Sequence, residues 1–400
     1  MLSAMRKLDV VVVGGCGHVG LPLAIALADR GLRVVSYDIN AETVASVAAG
    51  QMPFDEPGAS SLLREVLDSG AFAASTDAHT VSHAETVIVV VGTPVDEHLN
   101  PDPQAVPDAI SELTEHLRDG QLLVLRSTVY PGVTRLTEAI MGRSGKTLDI
   151  AFCPERIAEG RAFTELYDLP QIVSGCSPAA VKRASELFER LASKVIVVSP
   201  EEAELAKLFT NTWRYIKFAA ANQFYMIAND YGIDFENVRH AITTDYPRAQ
   251  DMPGAGFAAG PCLFKDTMQL AAFNNNNFML GHSAMMVNEG LPLYLVARLG
   301  NRFNLAESTV GILGMAFKGE SDDTRSSLSY KLRRILRFKS KAVLCHDPYV
   351  TTDPTLVPLD HVLANSDLLV IATPHRTYAD LQTDLPVIDI WNLRQQGVAV

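Results

Sequence analysis

The heptapeptide "GPCLFKD", Gly260 to Asp266, sets a thiol three residues before an ammonium group and four before a carboxyl group. A cation or a helix N-terminus beside a thiol favours the thiolate, the form that attacks a carbonyl carbon. Taken alone, the segment has a plainer reading. Free cysteine is among the most buried residue types, and Cys262 could fill a small apolar space after the Gly/Ala-rich "GAGFAA". A second grouping lies upstream, where Lys207, Asn211 and Arg214 fall at i, i+4 and i+7 on one helix face. With Leu205, Leu208, Phe209, Trp213 and Ile216 around them, they form either the solvated stripe of an amphipathic helix or a cation and an amide able to hold a substrate oxygen as it becomes an oxyanion. The surrounding elements must decide between these readings.

The clearest element is at the N-terminus. "GGCGHVG" follows the apolar run "DVVVVG" (9–14) and opens a helical pattern, giving Gly15-x-Gly17-x-x-Gly20. The glycines permit a tight turn, a close approach of backbone to pyrophosphate, and close helix–strand packing. The phosphates then meet the free N–H groups of a helix N-terminus. Asp38 ends the second strand 18 residues past Gly20, where a carboxylate accepts hydrogen bonds from a ribose 2′-hydroxyl and repels a 2′-phosphate. NAD is therefore the expected cofactor, ahead of NADP.

Further apolar runs at 33–38, 86–92, 121–127 and 194–199 alternate with helical patterns, which predicts a parallel sheet covered on both faces. From Glu201 to Gly232 no Gly or Pro interrupts the pattern until its end, so one long helix of about 45 Å is expected there. Strand and helix alternate again in "TVGILGMAF" (309–317), "AVLCHDP" (342–348), "DLLVIATP" (367–374) and "PVIDIWN" (386–392). The expected fold is α/β, with two Rossmann-like parallel-sheet domains joined by a long central helix and a helical middle. Its expected segments are 1–199, 200–304 and 305–400. Five cysteines without a CxxC pair point to a reducing compartment, and no metal site is expected. A formal net charge of −12 argues against nucleic acid or an anionic membrane as partner. The N-terminal apolar run is too short for a signal or a span, so a soluble, cytoplasmic protein is expected.

Seven stretches occur in one order: "GCGHVGLPLA", "VGTP" (91–94), "STVYPGVT" (127–134), "PERIAEG" (154–160), "KLFTN" (207–211), "GPCLFKDT" (260–267) and "FKGESDDTRSS" (317–327). Together they resemble the nucleotide-sugar 6-dehydrogenase family, the UDP-glucose/GDP-mannose dehydrogenases, over nearly the whole chain. The resemblance implies an N-terminal NAD domain, a central helix used for dimerisation, and a C-terminal domain for the nucleotide sugar. It implies NAD contacts from Gly15, Gly17, His18, Val19, Gly20, Asp38, Thr93, Thr128, Glu159 and Arg325. It implies a substrate site of Glu155, Lys207, Asn211, Arg248, Phe257, Gly260, Lys265, Phe317 and Lys318, with Arg248 reaching across a dimer interface. The implied catalytic set is Thr128, Glu155, Lys207, Asn211, Cys262 and Asp266. The pattern departs from the family's at "AAGP" (258–261), at "CLFKD" in place of "CFPKD", at Cys153 where an Asn often stands, and at Thr43 where some members carry an Arg. These changes spare the catalytic set and leave the sugar and the nucleobase open.

That chemistry explains the residue types. Oxidising a primary alcohol to an acid moves four electrons, and NAD takes two at a time, so the aldehyde is held on a thiolate between the two steps. Cys262 is the implied nucleophile and Asp266, through a water also touching Thr128, the implied base. Lys207 and Asn211 would stabilise the oxyanions, and Glu155 would direct the hydrolytic water. UDP-glucose or dTDP-glucose is the default substrate, with UDP-N-acetylhexosamine and GDP-mannose as alternatives. A single-hydride β-hydroxyacid dehydrogenase shares the first domain and the Lys-x-x-x-Asn helix, but lacks the cysteine and the second α/β unit. A sensor without turnover would show decayed catalytic positions, and all six are present.

Overall fold

The computed structural model describes residues 8–93, 102–398 and 400. The first seven residues and Pro94, which ends "VGTP", lie outside the described residues. The chain divides into two compact units, Met1–Phe209 and Thr210–Val400. The division falls within the long helix Pro200–Asp230, which matches the expected uninterrupted stretch.

The first unit contains β1 (Leu8–Val13), β2 (Val34–Tyr37), β3 (Phe72–Ser75), β4 (Ala84–Val89), β5 (Leu122–Leu125), β6 (Asp149–Phe152), β7 (Gln171–Gly175) and β8 (Val195–Val197). Among the described residues these form one sheet in the order β3-β2-β1-β4-β5-β6-β7-β8. Period-two alternation sends Val10 and Val12 of β1 into one apolar layer with Leu21, Leu23 and Leu27 of the first helix, while Val11 and Val13 enter a second layer on the other face. Both faces are covered, as the continuous apolar runs require. One pairing departs from the expected parallel sheet: β6 and β7 run antiparallel. Strand order reverses between β1 and β4, so the carboxyl ends of these strands flank the crevice where such sheets hold ligands.

In the second unit the remainder of the long helix packs with the helices Leu263–Phe273 and Met279–Arg302. A smaller sheet follows, with β9 (Thr309–Leu313), β10 (Ala342–His346), β11 (Leu368–Ile371) and β12 (Val387–Asp389) all parallel in the order β10-β9-β11-β12. Ala221, Tyr225, Leu291 and Leu295 from the helices share one core with Val310, Ile312 and Val370 from this sheet. Here strand order reverses between β9 and β11, which makes the loops after those strands the second ligand crevice. Among the described residues no helix is long and apolar enough to cross a membrane, and no group of three His, Cys, Asp or Glu could hold a metal ion.

Candidate active site

β1 ends at Val13, and the chain turns through Gly14, at φ 71°, toward the helix Gly20–Asp29. A Cβ at Gly15 would stand 2.5 Å from the Val12 carbonyl oxygen, and one at Gly20 would stand 2.4 Å from that of Gly14. Only glycine lets this turn close. A Cβ at Gly17 would meet nothing nearer than 3.8 Å, so that position opens outward where a pyrophosphate can approach. Val19 is the N-cap of the helix and makes no side-chain cap bond. Asp38 follows β2 with its carboxylate fixed, Oδ2 accepting from Cys16 N and Oδ1 from Asn40 N, each at 3.1 Å. The His18 ring stacks on Phe54 with centroids 4.1 Å apart, and its Nδ1 lies 3.9 Å from Glu159 Oε1. A bare turn at a helix N-terminus and a fixed carboxylate fit NAD.

Loops from β4, β5 and β6 are tied down beside this turn. Ser127 Oγ donates to Val91 O and accepts from Val91 N, both at 2.8 Å, which fixes the backbone next to Thr93 and Thr128. Buried Glu204 accepts from Gly132 N, Thr134 N and Thr134 Oγ1 at 2.6–2.8 Å, closing the start of the helix Val133–Arg143. Buried Glu56 accepts from Gly160 N and Ala162 N at 2.7 and 2.9 Å and holds the loop that carries Glu159.

Glu155 itself is held on every side. Its Oε2 accepts from Arg126 Nε at 2.9 Å and Nη2 at 2.5 Å, and its Oε1 accepts from Arg156 N and Ile157 N at 2.7 and 3.1 Å. Arg126, fully buried, also donates to Cys153 O and Gln171 Oε1 and lies over the Phe188 ring. This cluster joins the end of β5, the end of β6 and the start of β7, where the chain reverses into the antiparallel pair.

The second unit carries the cysteine loop. Asn222 and Asn288, both fully buried, build its floor: Asn222 accepts from Gly256 N at 2.9 Å and donates to Gly256 O at 3.0 Å, and Asn288 accepts from Asn222. Gly260 has φ 100°, and a Cβ there would stand 2.6 Å from the Phe317 ring. Cys262 is the N-cap of the helix Leu263–Phe273, where the helix end favours negative charge. It is the exposed member of the five cysteines. Burial, and after it the Asp38 charge, pushes the Cys16 thiol up to about 12. Burial likewise pushes Cys153 and Cys176 up to about 12 and Cys345 up to about 11.

One turn into this helix, Asp266 is fully buried. Its Oδ2 accepts from Asn211 Nδ2 at 2.6 Å, so the long helix and the cysteine helix meet at this pair. Its Oδ1 receives no hydrogen bond and has the Lys265 ammonium at 3.4 Å. Lys207 lies one turn before Asn211, half-buried, while Arg214 is exposed, so the polar stripe on this helix face is not uniformly solvated. The implied catalytic set is thus divided, with Thr128, Glu155 and Lys207 in the first unit and Asn211, Cys262 and Asp266 in the second.

The remaining expected residues differ in setting. Phe317 and Lys318 lie in the loop after β9, with the Lys318 ammonium 5.5 Å from the Phe317 ring centroid. Arg325 is exposed and donates from Nε to both Asp323 oxygens and from Nη2 to Oδ2, at 2.6–3.0 Å. Arg248 is exposed between two helices, with its Nη1 on Tyr246 Oη at 3.2 Å. Phe257 is buried in the core shared with the smaller sheet.

Comparison with known proteins agrees with this layout. The UDP-glucose/GDP-mannose dehydrogenase family matches by its NAD binding domain at residues 9–192, its central domain at 201–290 and its UDP binding domain at 311–396. The chain belongs to this family. The UDP-N-acetyl-D-mannosamine dehydrogenase of Pyrococcus horikoshii is 33% identical over 378 residues, covering 91% of this chain and 89% of that one. A solved UDP-D-ManNAc dehydrogenase from the same organism superposes with TM-score 0.89 at 30% identity, covering 96% of each chain. A UDP-glucose dehydrogenase from Pyrobaculum islandicum has TM-score 0.89 at 27% identity, covering 97% of this chain and 95% of that one. As a member of this family the chain is an NAD-dependent nucleotide-sugar dehydrogenase.

Several residues that shape this dehydrogenase site escape a reading of the sequence. Arg126, Glu56, Glu204 and Asn222 act on segments 27 to 106 residues away, and no local spacing announces such a partner. Phe54 and Glu56 sit in "PFDEPG", a Pro/Gly-bounded stretch of the kind that forms a loop and gave the one available cue.

Proposed function

We propose that the chain oxidises the 6-hydroxyl of a UDP-N-acetylhexosamine, of the N-acetylmannosamine type, to the carboxylate, with two NAD reduced per sugar. The observation that carries the chemistry is Cys262: exposed among five cysteines, at a helix N-terminus, one turn from a buried carboxyl group with an unbonded oxygen. The names of the Pyrococcus horikoshii relatives support the sugar, in preference to the UDP-glucose default. Bound NAD supplies the hydride acceptor for each two-electron step.

Asp266 Oδ1 takes the proton of the 6-hydroxyl through a water. Lys207 and Asn211 bind the oxygen as it gains charge. Loss of a hydride from C6 leaves the aldehyde, Cys262 Sγ bonds to its carbon, and the oxygen takes up a proton to give a thiohemiacetal. Loss of a second hydride and a proton leaves a thioester. A water oxygen bonds to the acyl carbon, the C–S bond breaks, and its electron pair returns to Cys262. Alcohol, water and two NAD thus give carboxylate, two NADH and three protons. With its acceptor positions occupied, Glu155 serves in this scheme as the anchor of the Glu159 loop, in place of the water-directing role. Lys265, Lys318 and Arg248 supply positive charge for the pyrophosphate of an otherwise acidic protein.

We also infer a homodimer through the second unit, whose exposed Phe224, Ile227, Tyr231, Ile233, Val238 and Ile242 line one apolar groove. Ile227→Asp should yield monomers by light scattering; an unchanged mass would refute that interface.

Two measurements test the reaction. NADH formation across UDP-N-acetylmannosamine, UDP-N-acetylglucosamine, UDP-glucose, dTDP-glucose and GDP-mannose should favour the first in kcat/KM by roughly tenfold or more, at least the discrimination that one missing methylene gives. A preference for UDP-glucose would sink the sugar assignment. In Cys262→Ser, a single-turnover NADH burst should stop at about one hydride per site. Steady turnover within about threefold of wild type would show that the thiolate is not the nucleophile.

A further inference from the structure

The loop after β9 is fixed at two points, one on each side of Phe317 and Lys318. On the near side, Asp347 Oδ2 accepts from Met315 N at 2.6 Å and Ala316 N at 2.9 Å, and Thr373 Oγ1 donates to Ala316 O at 2.7 Å. On the far side, Glu320 N donates to His375 Nδ1 at 3.0 Å. His375 is fully buried, and its Nε2 lies 3.0 Å from Asp347 Oδ2. A backbone amide can only donate, so Nδ1 must accept, and Nε2 must then carry the hydrogen that faces the carboxylate. One imidazole therefore joins both ends of the segment. The backbone presses close here as well, since a Cβ at Gly319 would stand 2.6 Å from Pro374 O.

We propose that His375 is a positioning residue for the nucleotide sugar: by spanning from Asp347 to the Glu320 amide, it holds Lys318 in place for the pyrophosphate. The proposal rests on the reading that Lys318 contacts the nucleotide. A buried histidine that served only the core would need neither bond to this loop, and its loss would leave the loop's geometry to Asp347 and Thr373. The Phe317 ring also packs on Gly260, two residues before Cys262, so the same strut bears on the cysteine loop.

Three substitutions separate the bonds. His375→Asn keeps an acceptor where Nδ1 stands and can still take the Glu320 amide. His375→Gln reaches toward Asp347 but leaves that amide without an acceptor, and His375→Phe keeps the ring and neither bond. Calorimetry with UDP on the intact enzyme should show Kd raised about tenfold or more in Gln and Phe and by clearly less in Asn, which keeps one of the two bonds, while NADH binding stays unchanged in all three. A folded Phe variant with wild-type UDP affinity overturns the proposal. Should Phe fail to fold, Asn binding UDP no better than Gln overturns it equally. Lys318→Ala, measured alongside, separates the two layers of inference. Weakened UDP there with intact affinity in the His375 variants defeats the strut alone, and intact affinity in every variant defeats the loop reading with it.

Discussion

Glu155 in the first unit and Asp266 in the second are both buried carboxyl groups in the implied catalytic set, and they are held in opposite ways. Glu155 has two hydrogen bonds on each oxygen, from a buried guanidinium and from two backbone amides. Asp266 has one bond on Oδ2, from Asn211, and none on Oδ1. A carboxylate offers about four acceptor positions, so the first group is filled and the second is not. Leaving a buried polar atom unbonded costs about 1–3 kcal/mol, and natural cores avoid it unless the atom has another use. On the proposed reading, the difference separates a group that builds the site from one that works in it.

The comparison breaks most sharply at Asp266. Asp266→Asn keeps the shape and a partner for Asn211 but removes the proton acceptor. The expected outcome is a fall in kcat of about 10²–10⁴, with a smaller loss of urea stability than in Glu155→Gln, since Oδ1 accepts no hydrogen bond and faces the Lys265 ammonium at 3.4 Å. A variant that keeps kcat and loses stability would reverse the roles assigned to the two acids.

Glu155→Gln tests the other side. Removing one partner of a buried ion pair costs about 3–5 kcal/mol, because the remaining charge is left uncompensated. The variant should unfold at much lower urea, and Arg126→Met in the same chain should recover part of the loss. Mass spectrometry of the reacting variant distinguishes the alternative role. Accumulated Cys262 thioester at near-normal stability would mean that Glu155 directs the hydrolytic water after all.

How much of this was legible depended on distance along the chain. The turn at Gly15–Gly20, the acid at Asp38 and the Cys262–Asp266 spacing are local patterns, and the structure places all of them as the periodicities require. The strands β3, β6 and β7 did not stand out as apolar runs, since segments of four or five residues such as "FAAS" and "QIVSG" carry too few apolar positions to show a period. The antiparallel β6–β7 pair was equally silent. It depends on a chain reversal held by Arg126, Glu155 and Gln171, whose partnership spans up to 45 residues. Asn211 and Asp266 each stand out in the sequence, but their direct bond across 55 residues belongs to tertiary packing. Asp347 and His375 sit in "HDP" and "TPH", which read only as strand ends.

The smallest expected effect comes from Asp347, a satisfied acid in the same unit as Asp266, which makes it the control for location. Burial pushes its carboxyl group up, but hydrogen bonds from His375 and from the Ala316 and Met315 amides outweigh burial and hold it down at about 2, against an ordinary 3.8. A group depressed in the folded state contributes stability that is present in full above its unfolded value and is lost as pH falls through the folded one. The contribution is present at neutral pH and fades as pH falls from about 4 toward 2. Asp347→Asn should therefore lower the urea midpoint of the second unit by a constant amount above about pH 5, and the gap to wild type should narrow as both are acidified. If the Asp347 gap persisted unchanged into strong acid, its cause would be packing and not the ionised group. The contrast between filled and unfilled acids would then have to rest on Glu155 alone.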